Sequence, residues 1–124
     1  MTAKILVVDD ELSIRRLLRN TLERANYQVV EAVNGREAVE AAAEEDYDLV
    51  LMDVQMPEMD GLEATRLIRK HEFGTGRHTP IAALTAHAMA GDRERCLDAG
   101  MDEYVAKPFN PSDLENRLAA LIAA

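Results

Sequence analysis

The chain has 124 residues, enough for one domain with its own core and too few for two ordinary ones. Its 23 acidic and 14 basic residues leave a formal net charge of −9, which argues against a nucleic-acid surface and against electrostatic attachment to anionic lipid. One cysteine rules out an internal disulfide, and no Trp, three Tyr and two Phe make an aromatic platform for single-stranded nucleic acid a poor fit. No signal peptide is visible and no apolar run approaches the ~20 residues of a membrane span, so a cytoplasmic location is expected.

Two textures alternate along the chain. Lys4 to Val8 is a β-branched apolar run that ends in Asp9-Asp10, as strands buried on both faces of a parallel sheet do. Ile14, Leu17, Leu18, Leu22 and Ala25 then recur at helical spacing. Gln28 to Ala32 reads as a second, weaker strand. Asn34 looks like a helix cap with Glu37 as its reciprocal partner, and the alanine-rich stretch to Glu45 is a strong helix former. Asp48 to Asp53 is a third strand, again closed by an acid. Pro57 and Gly61 mark a loop, and a helix follows from Leu62 to about Glu72.

Phe73 to His78 is a connection, and Pro80 to Thr85 is a fourth strand with proline at its first position. A helix from Ala88 to Ala99 stops at Gly100, a C-terminal cap. Cys96 in this helix reads as a small buried hydrophobe. Glu103 to Ala106 is a short fifth strand closed by Lys107-Pro108. Asn110-Pro111 opens a last helix whose apolar face is Leu114, Leu118, Leu121 and Ile122. Five strands alternating with five helices predict a parallel sheet covered on both faces, one domain over residues 1–124.

Ligands of open α/β sheets bind beyond the carboxyl ends of the strands. Asp9 and Asp10 end the first strand, Asp53 the third and Thr85 the fourth, while Lys107 follows the fifth; the second offers nothing comparable. If the strand order is 2-1-3-4-5, these groups converge on one edge. Clustered carboxylates repel one another, and a hard divalent cation relieves the repulsion. Magnesium suits such an oxygen set and leaves room for phosphate oxygens; zinc does not, without His or Cys. Asp53, on the central strand, is then the candidate nucleophile for a phosphoryl group. Asp9 and Asp10 would hold the metal, Lys107 would offset phosphoryl charge and Thr85 would donate to a phosphate oxygen. Taken singly, each has a blander reading: Asp9 or Asp10 as a helix cap, Asp53 as a turn acid, Thr85 as a strand end, Lys107 as a solvated lysine.

At these residues the chain resembles the receiver domains of bacterial two-component signalling along essentially its whole length. The motifs are Val7 to Glu11, Leu51 to Pro57 with Asp60-Gly61, Leu84-Thr85-Ala86, and Tyr104 to Phe109. The resemblance implies a flavodoxin-like doubly wound sheet ordered 2-1-3-4-5, with Asp53 as phosphoacceptor. It implies Asp10, Asp53 and the Gln55 backbone carbonyl as direct ligands of magnesium, with manganese as a second ion, and Asp9 acting through water. It further implies Lys107 as partner of the phosphoryl group, a cis bond to Pro108, and a switch of Thr85 and Tyr104 altering the face of the fourth helix, fifth strand and fifth helix.

The implied donors are the phosphohistidine of a sensor histidine kinase or of a histidine phosphotransfer domain. The implied output is a phosphorylation-dependent dimer or partner, with no direct contact to nucleic acid or membrane. Such a domain catalyses its own phosphorylation and dephosphorylation and turns over no separate substrate. Gln55 to Thr65, Ala86 to Met89 and Cys96 to Tyr104 look most like receivers of hybrid histidine kinases. Gln55 and His87 would flank the path of attacking water, whereas His71 and His78 read as solvated.

Two rivals remain. A haloacid-dehalogenase-type phosphatase also uses an aspartyl phosphate but carries a second acid two residues later, where this chain has Gln55. A non-phosphorylated interaction module of the same fold would have no need of the five polar residues. The chain stops directly after the fifth helix, so no output domain is expected within it.

Overall fold

The computed structural model describes residues 2–56, 59–85 and 91–123. The strands β1 (Lys4–Val8), β2 (Gln28–Ala32), β3 (Leu49–Asp53), β4 (Ile81–Thr85) and β5 (Glu103–Ala106) form one parallel sheet ordered β2-β1-β3-β4-β5. Among the described residues the helices are α1 (Leu12–Arg24), α2 (Gly35–Glu44), α3 (Gly61–Glu72), α4 (Asp92–Asp98) and α5 (Pro111–Ala123).

The period-two alternation of strand side chains divides the core in two. Leu6, Val8, Val50, Met52, Ile81 and Ala83 pack with Ala38, Ala64, Ile68 and Cys96 of α2, α3 and α4. Ile5, Val7, Leu49, Leu51, Ala82 and Leu84 pack on the other face with Leu18, Leu22, Leu114 and Leu118 of α1 and α5. Both faces are covered, which is why the three central strands are apolar apart from a polar residue at one end of each: Lys4, Asp53 and Thr85. Cys96 is 2% exposed and burial pushes its thiol up, as befits a packing residue. Among the described residues no helix is long and apolar enough to cross a membrane.

Helix ends follow local chemistry. Asn34 Oδ1 accepts the Glu37 N–H at 2.9 Å, but Glu37 Oε1 accepts from Val33 N–H at 3.0 Å instead of closing a reciprocal pair with Asn34. Gly61 is the first residue of α3 and not part of the preceding loop, because Asp60 Oδ1 accepts the Glu63 N–H at 2.8 Å and caps the helix there. After α4, Gly100 at φ 108° donates to Leu97 O and Met101 to Cys96 O, both at 3.0 Å, a Schellman closure. Asn110 caps α5 through the N–H groups of Ser112 and Asp113.

The structure differs from sequence expectation in a few places. Asp48 and Pro80 lie just outside β3 and β4; Asp48 receives the Lys4 N–H on its carboxylate, and the Pro80 carbonyl accepts from Val50. Leu17, placed on the apolar face of α1, is 46% exposed because Leu18, Thr21 and Leu22 carry the contact. His78 is not merely solvated: its Nε2 lies 2.6 Å from Asp102 Oδ1. The expectations for Pro57, His87 and the helix start at Ala88 fall outside the described residues.

Candidate functional site

The carboxyl ends of β1 and β3 adjoin, with Val8 opposite Met52, so Asp9 and Asp53 emerge side by side. Asp53 is opposite Leu84, and Thr85 is opposite Ala106. The Lys107 N–H donates to Thr85 O at 2.8 Å, which ties the turn after β5 to the end of β4. The Lys107–Pro108 peptide is cis. Lys107 Nζ reaches back to Asp9 Oδ2 at 3.1 Å and Asp53 Oδ1 at 3.5 Å. Asp9, Asp10, Glu11, Asp53, Gln55 and Lys107 line a cavity of about 270 Å³.

Asp9 is 1% and Asp53 5% exposed, whereas Asp10 is open to solvent. Each of the three offers a carboxylate oxygen within 4.8 Å of the others. Asp9 Oδ1 accepts the Glu11 N–H at 2.9 Å and Asp53 Oδ1 accepts the Gln55 N–H at 3.3 Å. Asp9 does not cap α1, whose first-turn N–H groups receive no side-chain oxygen among the described residues; its Oδ1 closes a local turn onto Glu11, and its second oxygen faces the cleft lysine. Burial pushes the Asp53 carboxyl up to about 6; the charge on Asp9 adds to this, and Lys107 and the Gln55 N–H pull against it. Burial works to lower the Lys107 ammonium, but the charges of Asp53 and Asp9 outweigh it and raise it.

The donor set is all oxygen, from one exposed and two buried carboxylates, with no sulfur or imidazole lining the cleft among the described residues. That composition fits a small hard cation such as magnesium and not zinc. One lysine cannot neutralise three carboxylates, so the arrangement favours an added positive charge. Thr85 is 3% exposed at the end of β4. Tyr104 is half-buried on β5 against the α2–α3–α4 side of the core.

Two contributions escaped sequence reasoning. Glu11 lines the cleft although its position suggested only a helix start. Strand β2, which seemed to offer nothing, supplies Glu31, whose carboxylate accepts from Arg15 Nε at 3.0 Å and Arg19 Nε at 2.6 Å. Burial alone would raise the Glu31 carboxyl, but Arg19 and then Arg15 hold it below the usual range. Arginines at 15 and 19 on a helix beside an acid on the neighbouring strand were the available signal.

The chain belongs to the response regulator receiver domain family, whose pattern it matches over residues 5–119. It is 48% identical over 119 residues to the transcriptional regulatory protein ResD of Bacillus subtilis; the match takes in 96% of this chain and 48% of ResD. The chain thus spans about half the length of the curated relatives it matches. Its structure superposes with a TM-score of 0.90 on the receiver domain of the sensor histidine kinase PA1611 from Pseudomonas aeruginosa, at 40% identity and 100% coverage of both chains. That crystal structure holds a magnesium ion coordinated in the active site cleft. At 29% identity and a TM-score of 0.90, with 98% of this chain and 90% of the other covered, it also matches the Saccharomyces cerevisiae complex of the phosphotransfer protein Ypd1 with the Ssk1 receiver domain. The relatives thus include both a kinase-attached receiver and transcriptional regulators. This is a receiver domain of two-component signalling, with the flavodoxin-like sheet order that the resemblance implied.

Proposed function

We propose that Asp53 is the residue that accepts the phosphoryl group, from a phosphohistidine on a sensor kinase or on a histidine phosphotransfer domain. The observation that carries this is the placement of Asp53. It is a buried carboxylate at the end of the central strand, within 3.5 Å of Lys107 and beside Asp9 and Asp10. An Asp53 oxygen forms the new O–P bond while the P–N bond to the donor imidazole breaks and its electron pair returns to the ring. Lys107 would offset the negative charge that gathers on the transferring group, and Thr85, at the end of β4, would donate its hydroxyl to a phosphoryl oxygen.

The carboxylates of Asp9, Asp10 and Asp53 and the Gln55 backbone carbonyl would hold magnesium, which when bound supplies the positive charge that permits an anion to approach three acids. Manganese has the same oxygen preference and is a natural comparison ion. Tyr104, beyond Thr85 on the adjacent strand, would respond when the hydroxyl moves toward the phosphoryl group. That would change the surface of α4, β5 and α5 used by a second copy or a partner.

The experiment is intact mass measurement after incubation with acetyl phosphate. One phosphoryl group should appear with magnesium, far less without a divalent ion, and none on Asp53→Asn. Stable labelling of the variant to the same extent would refute the assignment.

A further inference from the structure

Each polar group of Asp9 is engaged by protein. Its N–H donates to Ala32 O at 3.2 Å, Oδ1 accepts from Glu11 N–H at 2.9 Å, and Oδ2 lies 3.1 Å from Lys107 Nζ. The remaining group, its backbone carbonyl, accepts from Arg15 Nη1 at 2.7 Å. That carbonyl belongs to the peptide joining Asp9 to Asp10, so the contact fixes the plane from which both acids leave the end of β1. Arg15 is itself held from behind by Glu31, and its side chain is only 12% exposed. A planar guanidinium gripped by a carboxylate on one edge and a carbonyl on another has little freedom to turn. Arg19 completes the hold on Glu31 from the next turn of α1.

We propose that Arg15, anchored by Glu31, is a positioning residue that sets the divalent-cation affinity of the Asp9–Asp10–Asp53 cluster by fixing the Asp9–Asp10 peptide. This rests on the cluster being the magnesium site. Simple electrostatics predicts the opposite sign for its removal. A cation near three carboxylates competes with magnesium, so losing its charge alone should tighten binding. Outer partners that orient metal ligands, by contrast, commonly cost 10–100-fold in affinity when removed, an order-of-magnitude range. The direction of the change therefore separates the two effects.

The test is magnesium binding to the unphosphorylated full chain, followed by NMR titration of backbone amides, with urea unfolding run in parallel. Arg15→Met, which keeps the stem and removes the fork, should weaken magnesium binding about tenfold. Arg16→Met, the same charge change at an exposed neighbour, should leave it within about twofold. Glu31→Gln should shift affinity in the same direction as Arg15→Met, and add little in the Arg15→Met background. Folded Arg15→Met binding magnesium as tightly as the parent, or more tightly, would overturn the proposal. If Arg15→Met fails to fold, an unchanged affinity in Glu31→Gln overturns it instead. A parent chain that binds no magnesium would sink the reading of the cluster, and this inference with it.

Discussion

Lys107 Nζ stands 3.5 Å from Asp53 Oδ1 and 3.1 Å from Asp9 Oδ2, bridging two carboxylates that burial would otherwise set against each other. The lysine serves the resting cleft as a counter-ion, and in the proposed reaction the same ammonium would meet the incoming phosphoryl group. Lys107→Met should therefore slow labelling by acetyl phosphate about 10²-fold while leaving magnesium binding unchanged or tighter. Single-turnover labelling rates and a magnesium titration check the two halves separately; weakened magnesium binding would contradict the assignment.

The Asp53 carboxyl, raised from 3.8 to about 6, makes a signed prediction about pH. The folded chain holds this proton more tightly than the unfolded one, so the group's stabilising contribution is present at low pH. It is lost as pH rises through about 6. Glu31 and Glu72, both lowered, act in the opposite direction, so the term is isolated by comparison with Asp53→Asn. Without divalent ions the variant should gain on the parent from about pH 4 upward, reaching about 2–3 kcal/mol near pH 7.5, and magnesium should narrow the gap. Urea unfolding across pH measures it, and a pH-independent difference would contradict the burial of this carboxylate.

Gly61 opens α3 directly against the end of β3: a Cβ there would meet Asp53 O and lie 3.0 Å from Val54 Cα. Helix propensity alone favours alanine over glycine by about 1 kcal/mol. A clash with backbone atoms outweighs that, so Gly61→Ala should destabilise by about 2 kcal/mol and slow labelling by displacing Asp53. Denaturation and labelling kinetics together check this. Stabilisation would mean that the close approach is relieved at little cost.

Far from the cleft, Arg69 binds four partners at once, Gly100 O, Thr79 O, Glu72 and Asp102, and Asp102 in turn meets His78. It ties the end of α3 to the turns on both sides of β4 and is mostly buried. Arg69→Met should cost about 3 kcal/mol, because it takes the shared guanidinium from two partly buried carboxylates and its N–H groups from two carbonyls. A loss in unfolding free energy with labelling intact would mark it as a structural tie, whereas lost labelling would place it on the path to the site.

Much of this was readable because the strand ends carry their own chemistry. Asp9, Asp53, Thr85 and Lys107 close or follow apolar runs, and a parallel sheet brings such ends to one edge. What was hidden depends on long side chains crossing between elements. Arg15 reaches a strand 16 residues away, and Arg69 meets Asp102 across 33 residues. No local period records such pairings. Periodicity likewise could not choose between Leu17 and Leu18 as the buried edge of α1, since both fit an apolar stripe and the packing of α5 and the sheet decides. The Glu37 side chain missed its expected partner by one residue, a distinction of cap geometry that spacing alone does not carry.

The central claim is that phosphate resides on one carboxylate. After labelling with acetyl phosphate and magnesium, reduction with borohydride converts an acyl phosphate to an alcohol at the modified residue, and peptide mass mapping locates it. Homoserine at position 53 and at no other acid is the result this structure predicts; homoserine at Asp9 or Asp10, with Asp53 unchanged, would contradict it.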